Sequence, residues 1–121
     1  MIDCVIVGAG GCIGAVCRYL IGLIPLREGS AFPIKTFFIN VLGCFLIGMI
    51  AACAAKNSAV NPKLVLFLKV GICGGFTTFS SFALETSDLL ENGSTGVALL
   101  YIILSIAVGV LAVFAGQQIV R

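Results

Sequence analysis

The side chains in this sequence that could act on a ligand lie within apolar stretches at helical spacing. Phe79 and Phe82 are three positions apart, and Glu85 continues the same helix face. The edges of phenylalanine rings carry the positive part of the ring quadrupole, so they could face an anion without trapping it by a full charge. Two phenylalanines on one helix face more often serve packing, and spacing alone favours that explanation.

Three further polar features share this apolar setting. Arg18 continues a stripe of glycines spaced by four residues, and an intramembrane arginine is costly unless it faces water, a partner or an anion path. We therefore favour a vestibule role for Arg18 over snorkelling to the nearer interface. The Asn40 amide could donate to an ion or join two helices, and spacing does not separate these alternatives. Tyr101 and Ser105, four residues apart, form either a polar track or a helix contact.

The composition limits the chemistry available to these side chains. Apolar residues make up 60% of the chain and charged residues 10%, whereas charged residues are about a quarter of a soluble domain. The chain is therefore predicted to be a membrane protein. It has no His and no acidic pair at metal-site spacing, so zinc, haem or triad enzymes are not expected. Its net charge of +2 is spread without a basic run, which gives no indication of a nucleic-acid partner.

Hydropathy divides the chain into four spans within one all-α transmembrane domain over residues 1–121. The spans cover about 4–24, 34–55, 64–90 and 97–120, with short polar connectors between them. The third span is too long for one straight crossing, because from Pro62 to Glu91 it would measure about 45 Å against a hydrocarbon core of about 30 Å. Gly74 and Gly75 favour departure from the helix, and the hydroxyls that follow could cap a restart. We predict two half-helices that meet near the bilayer centre, where a break indicates function.

Basic residues are divided almost evenly between the two predicted sides of the membrane. One side carries Lys56, Lys63, Lys69 and Arg121, and the other carries Arg18, Arg27 and Lys35. Because an excess of Lys and Arg marks the cytoplasmic side, this split predicts a chain that inserts in both orientations and pairs head to tail. A single orientation with the N-terminus inside fits almost as well.

Three separated motifs occur in order along the chain. They are Gly10-Gly11-x-x-Gly14-Ala15-x-x-Arg18-Tyr19, Thr36-x-x-x-Asn40-x-x-Gly43-x-Phe45-x-x-Gly48 and Gly71-x-x-Gly74-Gly75-x-Thr77-Thr78-Phe79-Ser80-x-Phe82. In length, number of spans and motif order, the whole chain resembles the Fluc, or CrcB-type, fluoride channels. The third motif is highly specific, whereas each of the other two is weak alone.

The resemblance implies a passive, fluoride-selective channel that exports cytoplasmic fluoride across the inner (plasma) membrane. It also implies a dual-topology antiparallel homodimer with two pores and a structural sodium ion (Na+) at its centre. The residues assigned to the fluoride pore are Asn40, Phe79, Phe82, Ser80, Ser81, Tyr101 and Ser105. Arg18 matches the vestibule arginine, and Glu85 is assigned to the vestibule as well. Gly74 and Thr77 match the positions whose backbone carbonyls hold sodium.

The backbone at the predicted break supports a cation site independently of the resemblance. A helix that stops near Gly74 leaves carbonyl groups without intrahelical partners, which is costly in hydrocarbon. Two antiparallel copies that cross at their breaks would bring the carbonyls of Gly74 and Thr77 from each copy around one point. A neutral ring of carbonyl oxygens suits sodium better than a divalent ion, whose larger dehydration cost lacks carboxylate compensation.

Two other functions fit parts of the pattern. A small dual-topology multidrug exporter would need a membrane-embedded carboxylate as its proton and substrate site. The only deep candidate, Glu85, lies past the break toward one end, and the first span offers Arg18 instead. A structural subunit that only packs helices would explain the glycines but not the broken third span with its Thr-Thr-Phe-Ser run.

Overall fold

The computed structural model describes residues 1–26 and 31–121, and within them four helical segments are long and apolar enough to cross a membrane. They are Ile2–Gly22, Ile34–Lys56, Pro62–Glu91 and Thr95–Val120. All regular secondary structure of the described residues is helical. The prediction of an all-helical protein with four membrane spans is therefore confirmed. Residues 27–30, which include Arg27 of the charge comparison, lie outside the described residues.

The regular helices are labelled in chain order. They are α1 Ile2–Gly22, α2 Ile34–Lys56, α3 Pro62–Val65, π1 Leu66–Cys73, α4 Gly74–Phe76, α5 Phe79–Glu91 and α6 Thr95–Val120. The third span thus begins with α3, whose N-cap Asn61 accepts a hydrogen bond from the Lys63 N–H at 2.9 Å, and whose first residue is a proline. It continues through π1 and α4 and ends with α5.

Helix α1 lies against the first half of the third span, residues 62–76, and the two run in the same direction. Their backbones meet at glycines: a Cβ atom on Gly10 would lie 2.5 Å from the carbonyl oxygen of Phe67, and one on Gly14 would lie 2.7 Å from the N atom of Phe76. Real side chains do not tolerate such distances, so both glycines are needed for the contact. Gly22, at the end of the stripe, has open space around it.

Helices α2 and α6 form a second close pair. A Cβ atom on Gly48 would lie 3.0 Å from the carbonyl carbon of Val113, and one on Gly116 would lie 3.0 Å from the N atom of Met49. At the end of this pair, the Lys56 ammonium donates to the carbonyl oxygen of Val120, the last residue of α6, at 2.9 Å. The bundle is therefore built from two parallel pairs, in keeping with a chain that crosses back and forth.

The path of the third span changes after Phe76. Thr77 (φ −80°, ψ 154°) and Thr78 (φ −145°, ψ 114°) are extended, and α5 begins at the next residue. Gly74, predicted to favour departure from the helix, is itself helical (φ −63°, ψ −38°). Its neighbour Gly75 is helical as well, and a Cβ atom there would lie 2.5 Å from a backbone oxygen of α1. The glycine pair therefore belongs to the helix, where Gly75 permits close packing, and the extended residues are the two threonines.

A buried core lies where α5 meets α6. Tyr101 and Ala98 are fully buried there together with Leu89. Phe82 and Phe37 pack against them as partly buried neighbours. This core fixes the position of α5 relative to α2 and α6, and so it fixes the side chains that follow the extended threonines.

Candidate functional site

The backbone between α4 and α5 is held by one side chain from α2. Asn40 donates from Nδ2 to the carbonyl oxygen of Thr78 at 3.0 Å, and its Oδ1 accepts from the Thr78 N–H at 2.8 Å. The amide satisfies both backbone groups of a residue that has left the helix. We call this pair of bonds the Asn40 clamp. The interhelical hydrogen bond considered for Asn40 is thus present, and one Nδ2 hydrogen remains for another acceptor.

Threonine hydroxyl groups form hydrogen bonds at the end of α4 and at the start of α5, beside the clamp. The Thr78 hydroxyl accepts from the Ser81 N–H at 3.2 Å, which caps the first turn of α5. It also donates to the Ser81 hydroxyl at 3.1 Å. The Thr77 hydroxyl donates to the carbonyl oxygen of Cys73 at 3.0 Å, an acceptor that the Thr77 N–H shares. Side chains therefore replace the backbone bonds that the extended residues cannot make.

A cavity of about 330 Å³ lies beside the clamp, with walls from α2, the third span and α6. We call it the break cavity, and its lining residues are Asn40, Gly43, Cys44, Ile47, Cys73, Gly74, Thr77, Thr78, Phe79, Phe82, Ser105 and Ile106. Among the described residues, this lining contains amide and hydroxyl groups and aromatic rings, but no Asp, Glu, Lys or Arg. An anion in this space would therefore meet neutral donors and aromatic rings.

Phe79 and Phe82 both line the break cavity, but their surroundings differ. Their ring centroids are 5.6 Å apart with an angle of 50° between the planes. Phe82 also meets the ring of Tyr101 edge to face at 5.0 Å, which fixes it in the core. Phe79 is 78% exposed on its own chain. Packing within the chain therefore explains Phe82 and leaves Phe79 unexplained.

The two hydroxyls predicted on the last helix also differ. Ser105 lines the break cavity, and its Oγ is buried without a hydrogen-bond partner among the described residues. A buried hydroxyl left unpaired costs about 1–3 kcal/mol, so it marks a place where a ligand or water would bind. Tyr101 is buried behind Phe82, and its hydroxyl donates to Glu85 Oε1 at 2.8 Å.

Each oxygen of the Glu85 carboxyl group accepts a hydrogen bond from one hydroxyl group. Oε1 is bonded to Tyr101, and Oε2 accepts from the buried Thr36 hydroxyl at 2.7 Å. Glu85 borders a second cavity of about 400 Å³, which we call the Arg18 cavity. Its lining residues are Arg18, Tyr19, Gly22, Leu23, Lys35, Thr36, Ile39, Thr78, Ser81 and Glu85. Thr78 lines both cavities, so both lie beside the Asn40 clamp.

Arg18 connects the end of the first half of the third span with the Arg18 cavity. Its Nε donates to the carbonyl oxygen of Gly75 at 3.3 Å, one residue before the last residue of α4. The guanidinium has further N–H groups, which can face the cavity that it lines. Lys35, on the same cavity, donates from Nζ to the carbonyl oxygen of Gly22 at 2.9 Å. Both cations therefore stabilise carbonyl groups near helix ends while they border the cavity.

The comparison with known proteins decides the family. Residues 5–117 match the model of the family described as CrcB-like protein, Camphor Resistance (CrcB). The chain belongs to this family. The predicted resemblance to CrcB-type proteins is therefore confirmed.

Several proteins named fluoride-specific ion channel FluC are similar to this CrcB-like chain over nearly its full length. The one from Rhizobium meliloti (strain 1021) is 48% identical, with 96% of this chain and 94% of that protein covered. The one from Chlorobium phaeobacteroides (strain BS1) is 43% identical, with 96% and 91% covered. The one from Agrobacterium fabrum (strain C58) is also 43% identical, with 100% and 98% covered.

The predicted site residues of this CrcB-like chain fall into three groups. Those that border the break cavity are Asn40, Phe79, Phe82, Ser105, Gly74 and Thr77. Those that border the Arg18 cavity are Arg18, Glu85 and Ser81. Those that line neither cavity are Tyr101, which is buried in the core, and Ser80, whose exposed hydroxyl lies 3.5 Å from that of Thr78. Nine of the eleven predicted residues therefore line one of the two cavities, and the predicted vestibule pair, Arg18 and Glu85, lies at the Arg18 cavity, apart from the residues of the break cavity.

Two residues beside the site had no role assigned from sequence. Thr36 bonds Glu85, and Gly43 leaves room for the Thr77 side chain. Thr78 is one of the residues whose hydroxyls were predicted to cap the helix restart, but its bonds to Asn40 were not predicted. Thr36 and Gly43 lie one turn on either side of Asn40, so helical spacing could have linked them to it. Their partners on the third span lie far away in sequence, and no local signal indicates them.

The described residues include no group of three or more His, Cys, Asp or Glu that could hold a metal ion. Backbone carbonyls offer a different kind of site. The Thr78 N–H, which would be the α-helical donor to the Gly74 carbonyl, is bonded to Asn40. The Ser81 N–H, the corresponding donor for the Thr77 carbonyl, is bonded to the Thr78 hydroxyl. Both carbonyls thus lose their usual helical donor, as a carbonyl cation site requires.

Proposed function

We propose that this chain is the subunit of a passive ion channel selective for fluoride. The observation that carries the proposal is the break cavity, where the Asn40 amide, the Ser105 hydroxyl and two phenylalanine rings share one uncharged wall. Fluoride is small and strongly hydrated, so a selective pore has to replace its water with donors and still release it. A full positive charge in the narrow part would hold the ion too long. The FluC names of the relatives support the same anion.

The proposed ion path runs through both cavities and passes the Asn40 clamp. Arg18 and Lys35 raise the local concentration of anions at the Arg18 cavity. Glu85 would oppose this, but each of its oxygens already accepts a hydroxyl hydrogen bond, which reduces its repulsion. Beyond Thr78 the ion meets the free Nδ2 hydrogen of Asn40 and the unpaired Ser105 hydroxyl. Passive flow down the gradient then exports fluoride across the inner (plasma) membrane.

An antiparallel homodimer with two pores completes the proposal. Gly74 is exposed, with its usual donor bonded elsewhere, and the neighbouring Phe79 is 78% exposed. A carbonyl without a donor is unfavourable on a lipid-facing surface, so a second copy that covers this face would stabilise the chain. Insertion in both orientations would supply that copy, in line with the near-even distribution of basic residues.

A structural sodium ion would bind where the two copies cross. The carbonyl oxygens of Gly74 and Thr77 from each subunit are the groups that would hold it. Support comes from the loss of their usual helical donors to Asn40 and to the Thr78 hydroxyl. When bound, the cation would satisfy these oxygens and join the subunits, and a site on the two-fold axis would lie outside both pores.

Fluoride efflux from vesicles that contain the purified protein tests the function. We expect rapid fluoride efflux, little chloride efflux and no dependence on a proton gradient. Phe79→Ile and Phe82→Ile should each slow efflux while the protein remains dimeric. Phe114→Ile, at an exposed position of α6 outside the break cavity, is the matched control and should leave efflux unchanged. Equal chloride and fluoride permeation would refute the proposal.

The same preparation tests the assembly. C-terminal reporters should be found on both sides of the membrane, and a reporter on one side alone would refute dual topology. Replacing sodium with a large organic cation should lower the thermal stability of the dimer. Unchanged stability and unchanged efflux without sodium would refute the sodium site. Efflux that requires a proton gradient would favour the exporter alternative, with Glu85 as the coupling carboxylate.

A further inference from the structure

Two cysteines contribute thiol groups to the wall of the break cavity from different elements. Cys44 belongs to α2, four residues after Asn40, and Cys73 is the last residue of π1. Both are free thiols, and Cys73 is almost fully buried. The proposed anion path uses neither of them.

Contacts around the clamp bring the two cysteines to one region of the cavity. Gly43, next to Cys44, packs on the side chain of Thr77. The Thr77 hydroxyl in turn donates to the Cys73 carbonyl oxygen at 3.0 Å. Both cysteines therefore border the same region of the break cavity.

We propose that Cys44 and Cys73 together bind one soft, thiophilic metal ion, for which Hg2+ is the probe. Thiolates are the ligands that soft cations prefer, and two thiolates suit the linear coordination of a d10 ion. The other polar groups of the lining are uncharged, so hard divalent ions would find no carboxylate to compensate their charge.

The charge balance favours this occupant in a membrane-embedded cavity. Each thiol gives its proton to the buffer, and two S–Hg bonds form without oxidation or reduction. The product is electrically neutral, because two thiolates balance the dication. A neutral complex avoids the cost of an uncompensated charge in a medium of low dielectric constant. An ion held there would also obstruct the break cavity.

Binding can be measured without any channel assay. The exposed cysteines Cys4, Cys12, Cys17 and Cys53 are replaced by Ser, which leaves the cavity thiols. Native mass spectrometry of this variant after titration with Hg2+ should show one ion per chain and a loss of two protons. Removing either cavity thiol, Cys44→Ser or Cys73→Ser, should weaken binding about 100-fold, because the second ligand no longer acts at the effective concentration of a tethered group.

A matched control keeps the number of thiols at two. Cys53 lies on the same helix as Cys44 but outside the break cavity. A chain that retains Cys53 and Cys73, with Cys44→Ser, should bind Hg2+ as weakly as a chain with one thiol. Two ions per chain on the cavity thiols, or equal affinity in this control, would overturn the proposal. If a Ser variant does not elute as folded protein in size-exclusion chromatography, the corresponding Ala variant is used.

A second measurement tests whether bound Hg2+ obstructs the proposed ion path. This test rests on the proposed function. Hg2+ should stop fluoride efflux from vesicles that contain the two-thiol variant, and the double Cys44→Ser, Cys73→Ser variant should be insensitive. Efflux that continues with one ion bound per chain would overturn the obstruction. Vesicles without fluoride efflux before Hg2+ is added would refute the proposed function instead, while the stoichiometry would still test the metal site.

Discussion

Residues 62–76 of the third span contact α1 through backbone atoms at glycines, whereas α5 contacts α2 and α6 through side-chain hydrogen bonds and aromatic rings. In the first half, Gly71 and Gly75 lie directly on the backbone of α1. In the second half, Glu85 accepts hydrogen bonds from the hydroxyl groups of Thr36 and Tyr101. The third span is therefore held to its neighbours by backbone packing before Thr77 and by side-chain contacts after it.

This difference separates stability from ion handling. Close glycine contacts fix a helix by van der Waals packing and supply no side-chain donor to an anion. Hydroxyl and amide contacts fix a helix less tightly but supply donors at its surface. The Asn40 clamp lies at the boundary and holds the extended residue Thr78 in place. The first half thus supports the backbone from which the second half presents its side chains.

The largest effect is expected at the glycine contact. Gly14→Val places branched carbons against the Phe76 N atom and the Ile72 carbonyl oxygen, neither of which can move without the helix. We expect a loss of about 3 kcal/mol in the free energy of unfolding in detergent. Gly8→Val on the same helix has open space and is the control, with a much smaller change. Similar losses in both would show that backbone contact does not hold the first half.

The next effect concerns the boundary. Asn40→Ala leaves the N–H and carbonyl groups of Thr78 without their partners, and each buried unsatisfied group costs about 1–3 kcal/mol, so a loss of at least about 2 kcal/mol is expected. Fluoride efflux should stop as well. The control is Asn57→Ala, which removes a hydrogen bond in an exposed turn where water can replace it. Normal efflux by Asn40→Ala would mean that the clamp is dispensable for the path.

A smaller effect is expected in the second half. Tyr101→Phe keeps the ring in the core and removes one of the two hydrogen bonds to Glu85. We expect a loss of about 1.5 kcal/mol, the lower end of the range for hydrogen bonds to charged groups. Thermal unfolding in detergent measures it. Tyr19→Phe, at an exposed position of α1, should change stability by less than about 0.5 kcal/mol. If the two variants behave alike, the hydroxyl bond contributes nothing to the attachment of α5.

The smallest effect is expected at the ion pair that joins α1 to α3. Asp3 and Lys63 are 2.6 Å apart, but more than half of each side chain is exposed. Asp3→Asn should therefore cost less than about 1 kcal/mol, and added salt should hide the difference. Unfolding measured at low and high salt checks this. A large loss at low salt that disappears at high salt would mean that charge, rather than glycine packing alone, holds the first half.

Local patterns predicted the elements and half of the residues that line the break cavity. Long apolar stretches predicted the four spans because bilayer thickness sets their length. Helical spacing predicted that Phe79 and Phe82 share a face, and both line one cavity. The prediction for Gly74 and Gly75 was different from the structure, because a glycine pair is compatible with both a break and a close helix contact.

The amino-acid sequence by itself determined the membrane setting, the four helices, the glycine stripe of α1 and the family. These depend on composition, local periodicity and motif order, which can be read along the chain. The tertiary structure decided which polar groups pair across the bundle: Asn40 with Thr78, Thr36 and Tyr101 with Glu85, and Arg18 with Gly75. In each of these pairs the two partners come from separate segments of the chain, and their pairing depends on how the helices pack, which no spacing within one helix encodes.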